Sequence, residues 1–245
     1  MNRVGIVCAL AAEARHLGSA TGRRMSLAAL ADGTLLAVSG MGSAAAALGA
    51  RALIDAGATA LASWGMAGGL DPALAPGAIF LPSQVISPDG TALATTRHWR
   101  ERLSAAIAPR CPVVGGKLLT CARAVGSIAD KAQLFRDTGA AAVDMESLAV
   151  AEVARTRSVP FIAVRVIVDS ARDVLPRAVM AASDNAGHLQ IWRLIGALAL
   201  TPADLGPLIG LAHRYRAASR SLAAVARAGS LATHVFPVMA DNAIS

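Results

Sequence analysis

Residues 140–176 constrain the fold more than any other part of the chain. They read AAAVDMESLAVAEVARTRSVPFIAVRVIVDSARDVLP. An apolar run, Ala140–Val143, meets Asp144-Met145-Glu146, and Ala and Val at helical spacing follow through Arg155. Val159-Pro160 breaks that pattern. A second apolar run, Phe161–Val168, carries one Arg and ends at Asp169. The pattern predicts strand, helix, strand. Strands of a parallel sheet are buried on both faces, so they read as unbroken Val, Ile and Ala rather than as alternation. Open α/β sheets bind ligands at the carboxyl ends of their strands. Glu146 stands at one such end and Asp169 at the other, which makes the two carboxylates a candidate site.

The rest of the chain extends the same architecture. Val4–Leu10 is a strand, and Ala11-Ala12-Glu13-Ala14-Arg15 opens a helix. Glu13 falls in its first turn, where the helix dipole favours a carboxylate. Leu35–Ser39 is the next strand, and Gly40-Met41-Gly42-Ser43 lets the backbone turn tightly. Ala44–Ala56 is a helix stopped by Gly57. Thr59–Trp64 is a strand, and Gly65-Met66-Ala67-Gly68-Gly69 reads as a glycine loop of the kind whose N–H groups cradle anions. It is neither a Walker A loop nor a GxGxxG fingerprint. Ala78–Ile86 is a strand kinked at Pro82, Ser87–Arg97 a loop or hairpin, Trp99–Ala108 a helix, Val113–Leu119 a strand and Ile128–Thr138 a helix ending at Gly139. Arg172–His188 reads as irregular or partly helical and Leu189–Leu200 as a helix. Pro202 opens a final helix to about Ala228. No repeat or linker interrupts the pattern, so 245 residues form one α/β domain.

Composition removes several functional classes. The net charge of +7 comes from scattered Arg and only two lysines, Lys117 and Lys131. With no block of like charge and 3% aromatics, neither a DNA-binding stripe nor a base-stacking surface is expected. The positive excess fits anionic substrates or membrane surfaces. Cys8, Cys111 and Cys121 show no CxxC or metal spacing and read as reduced thiols of a cytosolic protein. The five histidines form no ligand spacing. Met1–Ala12 imitates a signal peptide but reads as the first core strand. Gly33–Ala50 is uncharged over eighteen residues, yet holds too many Gly and Ser for a membrane-spanning helix.

Five motifs occur in order: VGIVCALAAEA, SGMGSAAAALGA, WGMAGGL followed by PGAIFLP, AVDMES, and VPFIAVRVIVDSA. Together they resemble the purine nucleoside phosphorylase and methylthioadenosine/S-adenosylhomocysteine nucleosidase superfamily over about residues 3–200. The AVDMES form and the C-terminal LTPADLGPLIGLAHRYRAASRSL resemble more closely the hopanoid-associated phosphorylases, which are implicated in removing adenine from adenosylhopane. The resemblance implies a single-domain, three-layer α/β/α fold with a central mixed, mostly parallel sheet, residues 1–200, and a C-terminal helical extension, 201–245, packed on it. It implies that Asp169 protonates N7 of a departing purine, that Glu146 holds the ribose hydroxyls, that Met145 packs under the sugar and that Glu13 activates water. Gly65, Met66 and Gly68 match the loop beside the ribose, and Val125 in CARAV, Ser43 and Arg165 complete the substrate-binding positions. The implied partner is a purine nucleoside. No cofactor is expected, with phosphate as a candidate co-substrate. A homo-oligomer, most simply a dimer, is implied, and the cytoplasm is the expected location. The C-terminal helix reads first as an ordinary surface helix packing its apolar face on the core; bordering the 5′ end of the nucleoside pocket, or docking its Arg face peripherally on the inner membrane, are the alternatives. Three positions depart from the family pattern: Met66 replaces a Ser, Ser63 a phosphate-binding Arg, and Ala124 falls near a purine-stacking Phe.

The residue types suit this chemistry independently. Adenine is a poor leaving group as an anion, and a carboxylic acid at N7 lets it leave neutral. Burial at the end of an apolar strand raises a carboxyl pKa in the required direction. Arg165, four residues before Asp169, falls on the same side of an extended strand and could steady a carboxylate by pairing. Taken alone, Glu13, Glu146 and Asp169 each read as a helix-start charge or cap; their joint pattern points to a site. Phosphate and water both remain as acceptors. A nucleoside-binding module on the same fold is the alternative to an enzyme. In the final helix Leu208, Leu211, Tyr215, Ala218, Leu222 and Val225 share one side and Arg216, Arg220 and Arg227 the other.

Overall fold

The computed structural model describes residues 3–19, 26–175, 205–228 and 231. The apolar runs become neighbouring strands of one mixed sheet. The strands are β1 (Val4–Cys8), β2 (Ser26–Ala29), β3 (Leu35–Val38), β4 (Ala60–Gly69), β5 (Ile79–Phe80), β6 (Gln84–Ile86), β7 (Ala92–Ala94), β8 (Val113–Val114), β9 (Lys117–Thr120), β10 (Ala140–Asp144) and β11 (Phe161–Asp169). Their order is β2-β3-β1-β4-β10-β9-β6-β7, and β4 also carries β11, which continues to β5 and β8. β1, β3, β4 and β11 run parallel, so their carboxyl ends share one edge.

Helices cover both faces. α2 (Ser43–Asp55) and α5 (Ser147–Thr156) pack on one side, α2 through Ala46, Ala50 and Leu53 and α5 through Val150, Ala151, Val153 and Ala154. The alanines let the two helices lie close to the sheet, while each fully buried Val or Leu supplies about 1.5–3 kcal/mol. The opposite face holds α3 (Arg97–Ile107), through Trp99, Leu103 and Ile107, and α6 (Leu205–Arg227), through Ala218, Leu222 and Val225. This is the expected three-layer arrangement. α4 (Ile128–Thr138) lies against β10 and β9 through Leu134 and Phe135. Its Ser127 cap accepts from the Asp130 N–H (3.0 Å), and Gly139 ends it at φ +63°. The short α1 (Ala11–Ala14) follows β1 directly.

Four sequence readings change. Ala78–Ile86 is not one kinked strand but divides around Pro82 into β5 and β6, which join different strands. Residues 65–69 are the second half of β4, not a loop: their glycines permit close strand contact rather than ending the strand. Val113–Leu119 divides at Gly115-Gly116 into β8 and β9, which join different strands. β2 is an added strand, paired antiparallel to β3 across a turn at Gly33 (φ +81°). The helix expected at Leu189–Leu200, the irregular stretch after Leu175 and the start at Pro202 lie outside the described residues. On α6, Arg216, Arg220 and Arg227 are exposed opposite the buried face, as the periodicity predicts. Among the described residues no helix is long and apolar enough to cross a membrane.

Candidate active site

A cavity of about 210 Å³ opens at the carboxyl edge of the sheet. Its walls include Glu13, Met66, Gly68, Val125, Met145, Glu146 and Asp169, together with Met41, Arg123, Asp144, Val168 and Leu175. Gly68 explains why the strand ends converge here. It pairs with Val143 of β10 and with Asp169 of β11, and a Cβ on it would lie 3.4 Å from side-chain atoms of both.

Glu13 is only 5% exposed, so it is not a solvated helix-start charge. Its Oε2 accepts from the Leu10 N–H (3.1 Å) and its Oε1 from the Met66 N–H (3.1 Å). Gly65 leaves the space for it. A Cβ there would sit 2.7 Å from Glu13 Oε1, and Gly65 adopts φ +157°, which side-chain-bearing residues rarely do. Burial pushes the Glu13 carboxyl above its ordinary range, while the Arg165 charge and the backbone donors pull it down.

Glu146 caps the join between β10 and α5. Its Oε1 accepts from the Gly42 N–H (2.8 Å), and its Oε2 takes a longer bond from the Met145 N–H (3.3 Å). Burial and the Asp144 charge push its carboxyl up to about 7. Ser43 does not line the cavity. Its hydroxyl donates to the Met145 carbonyl (2.9 Å), so the Gly42-Ser43 turn straps Met145 and Glu146 in place.

Arg165 also lies behind the wall, at 2% exposure. Its guanidinium donates to Asp144 Oδ2 (2.7 and 3.0 Å) and to the hydroxyls of Ser63 (2.7 Å) and Ser147 (3.0 Å). The expectation that it shares a side with Asp169 fails because the pairing of β11 with β4 shifts register between Ile167 and Asp169, inserting one residue.

Asp169 is 3% exposed, and its partner is Lys131, whose ammonium donates to Oδ2. Burial pushes the Asp169 carboxyl up, and Lys131 draws it partly back. Lys131 and the central Asp144 were not singled out from the sequence. A readable signal existed for Lys131: a cation in the first turn of a helix opposes the helix dipole. Among the described residues no three His, Cys, Asp or Glu side chains gather as a metal ligand set.

Several solved structures share this fold. A methylthioadenosine/S-adenosylhomocysteine nucleosidase from Neisseria meningitidis, in complex with methylthio-immucillin-A, aligns with TM-score 0.69 at 19% identity, over 93% of this chain and 98% of the other. A futalosine hydrolase from Helicobacter pylori aligns with TM-score 0.65 at 17% identity, over 91% and 97%. The nucleosidase from Colwellia psychrerythraea, in complex with adenine, aligns with TM-score 0.60 at 23% identity, over 69% and 83%. No curated protein sequence matches the chain. The sequence profile of the Phosphorylase superfamily matches residues 3–190, well over half of the length, and the chain belongs to that superfamily.

Proposed function

We propose that the protein cleaves the N-glycosidic bond of a 5′-substituted adenine nucleoside and releases adenine. The observation that carries this reading is the convergence of Glu13, Glu146 and Asp169 on one cavity, each held by defined partners. Protonated Asp169 gives its proton to N7 as the C1′–N9 electron pair passes to the base, help worth roughly 10²–10⁴-fold. Glu146 accepts from the ribose hydroxyls, orienting the sugar and stabilising the positive charge that develops on it. Glu13 takes a proton from the water that attacks C1′. Met145 packs under the sugar. No cofactor takes part.

Water is the acceptor this reading favours. Arg165 and Ser63 are committed to the buried Asp144 and Ser147 group, and the backbone of residues 65–69 belongs to a strand rather than a phosphate cradle. Among the described residues Arg123 is the one cation lining the cavity and is the feature that would favour phosphate. The test incubates the protein with methylthioadenosine with and without phosphate and identifies the sugar product. Free sugar formed without phosphate supports the reading. Sugar 1-phosphate with an absolute phosphate requirement moves the chain to phosphorolysis.

The substrate we infer is adenosylhopane in hopanoid biosynthesis, on the strength of the AVDMES form and the C-terminal segment. The exposed Arg216, Arg220 and Arg227 of α6 fit peripheral contact with anionic lipid, at roughly 1 kcal/mol per Arg near the surface. A cytoplasmic homodimer belongs to the same proposal, and light scattering at working concentration tests it.

A further inference from the structure

Lys131 is fully buried. A lysine is almost never buried so completely without partners. Its place in the first turn of α4 does nothing for that helix, because the positive helix end repels a cation. What explains it is the surroundings of its amine. All three N–H groups find acceptors: the Asp169 carboxylate through Oδ2, the Ser170 carbonyl (2.8 Å) and the Asp173 carbonyl (3.0 Å). Two of these are fixed backbone groups, so the third N–H is aimed.

Asp169 lines the cavity and Lys131 does not, so the ammonium approaches the carboxylate from behind. Among the described residues every hydrogen bond to this carboxylate engages Oδ2. An outer layer braces the turn. Asp173 Oδ2 accepts from the Ser170 N–H (2.8 Å) and hydroxyl (2.7 Å), and its Oδ1 pairs with Arg214 of α6 (3.2 Å).

We propose that Lys131 is a positioning residue for the reaction: it holds Oδ2 so that Oδ1 presents the proton to N7 of the base, and its charge stabilises the carboxylate left when that proton moves. The inference rests on the reading of Asp169 as general acid. In the step, the Oδ1–H bond breaks, N7–H forms, and the C1′–N9 electron pair goes to the base. Lys131 keeps its three protons throughout. A general acid works best with a pKa near the working pH. Burial and the Asp173 charge raise the Asp169 carboxyl, whereas Lys131 and Arg214 lower it. Without Lys131 the acid would hold its proton too tightly and in a looser geometry.

The test compares wild type, Lys131→Met and Asp169→Asn on two substrates, adenosine and 4-nitrophenyl riboside, whose leaving group departs without protonation. Lys131→Met should lower kcat/KM for adenosine by roughly 30-fold or more and for the nitrophenyl riboside by about 3-fold or less, within the usual range of general-acid effects. The alkaline limb of its pH profile should move to higher pH, because the acid form persists longer. A lysine that serves only the fold would lower both substrates alike and leave the limb in place, and that result overturns the proposal. If Lys131→Met does not fold, Lys131→Gln retains donors for the two carbonyls, and the same comparison decides. Adenosine activity lost in Asp169→Asn but kept in Lys131→Met overturns the role of Lys131 alone. Adenosine activity kept in Asp169→Asn overturns the acid assignment and this inference with it.

Discussion

Glu13 and Asp169 face one cavity from the ends of two strands, and they are held in opposite ways. Glu13 is fixed by two peptide N–H groups, with a glycine beneath it and, among the described residues, no cation in contact. Asp169 is fixed by an ammonium behind it. Neutral donors position a carboxylate while burial keeps its proton affinity raised, which makes the ionised form a stronger base. A cation beside a carboxylate makes its protonated form a stronger acid. In the proposed reaction the two supports therefore suit opposite directions of proton transfer, one toward the protein from water and one away from it toward the purine.

The base side can be broken from underneath. Gly65→Ala leaves Glu13 in the sequence but puts a methyl carbon 2.7 Å from its Oε1, too close for both to stay in place. Turnover should fall about 100-fold, the cost expected of a displacement near 1 Å. The backbone strain should also destabilise the fold by roughly 1–3 kcal/mol. Comparing kcat/KM and melting temperature with Glu13→Gln sharpens the point. The Gln variant should match the loss of activity without the loss of stability. A fully active Gly65→Ala would mean that the position of Glu13 does not matter.

Glu146 adds a third support, a single short bond from the Gly42 N–H, and burial with the Asp144 charge pushes its carboxyl up to about 7. Its ionised form accepts from hydroxyls more strongly than the acid does, so in the proposed reading ribose binding should strengthen as pH rises through about 7. Glu146→Gln should abolish that rise, weaken turnover about 10-fold and erase the preference for adenosine over its 2′-deoxy analogue, within the ordinary worth of a charged hydrogen bond. Because the folded-state pKa is raised, the native state bears a cost above the unfolded value near 4.5, complete once pH passes about 7. The Gln variant should therefore melt about 2–4 °C higher at pH 8, equivalent to roughly 1 kcal/mol. A lower melting temperature would show that the Gly42 contact outweighs the burial of charge.

The smallest effect on chemistry is expected far from both carboxylates. Changing Arg216, Arg220 and Arg227 together to Gln should leave adenosine turnover unchanged. It should reduce flotation with anionic liposomes, by up to roughly 3 kcal/mol of binding if each Arg contributes about 1. Equal flotation of variant and wild type would remove this face as a membrane contact.

Much of this arrangement is legible in the sequence because burial on both faces leaves plain runs. Val4–Cys8, Leu35–Val38 and Phe161–Asp169 stand where apolar segments predict them, and a carboxylate follows the first at Glu13 and ends the last at Asp169. Residues 65–69 mislead because glycine marks turns and close approaches alike, and only the neighbouring Glu13 and Asp169 decide between them. Arg165 misleads because one inserted residue in β11 reverses which residues share a face. Lys131 lies 38 residues from Asp169 on another element, and no local period connects them.

The most direct test of the account follows adenine release from adenosine and nitrophenol release from 4-nitrophenyl riboside, by wild type and Asp169→Asn, in phosphate-free buffer. Wild type should release adenine. The Asn variant, close to Asp in shape but unable to give an acid proton, should lose about 100-fold or more on adenosine while keeping most of its activity on the nitrophenyl substrate. No adenine from wild type, or turnover of adenosine by Asp169→Asn within a few-fold of wild type, would contradict it.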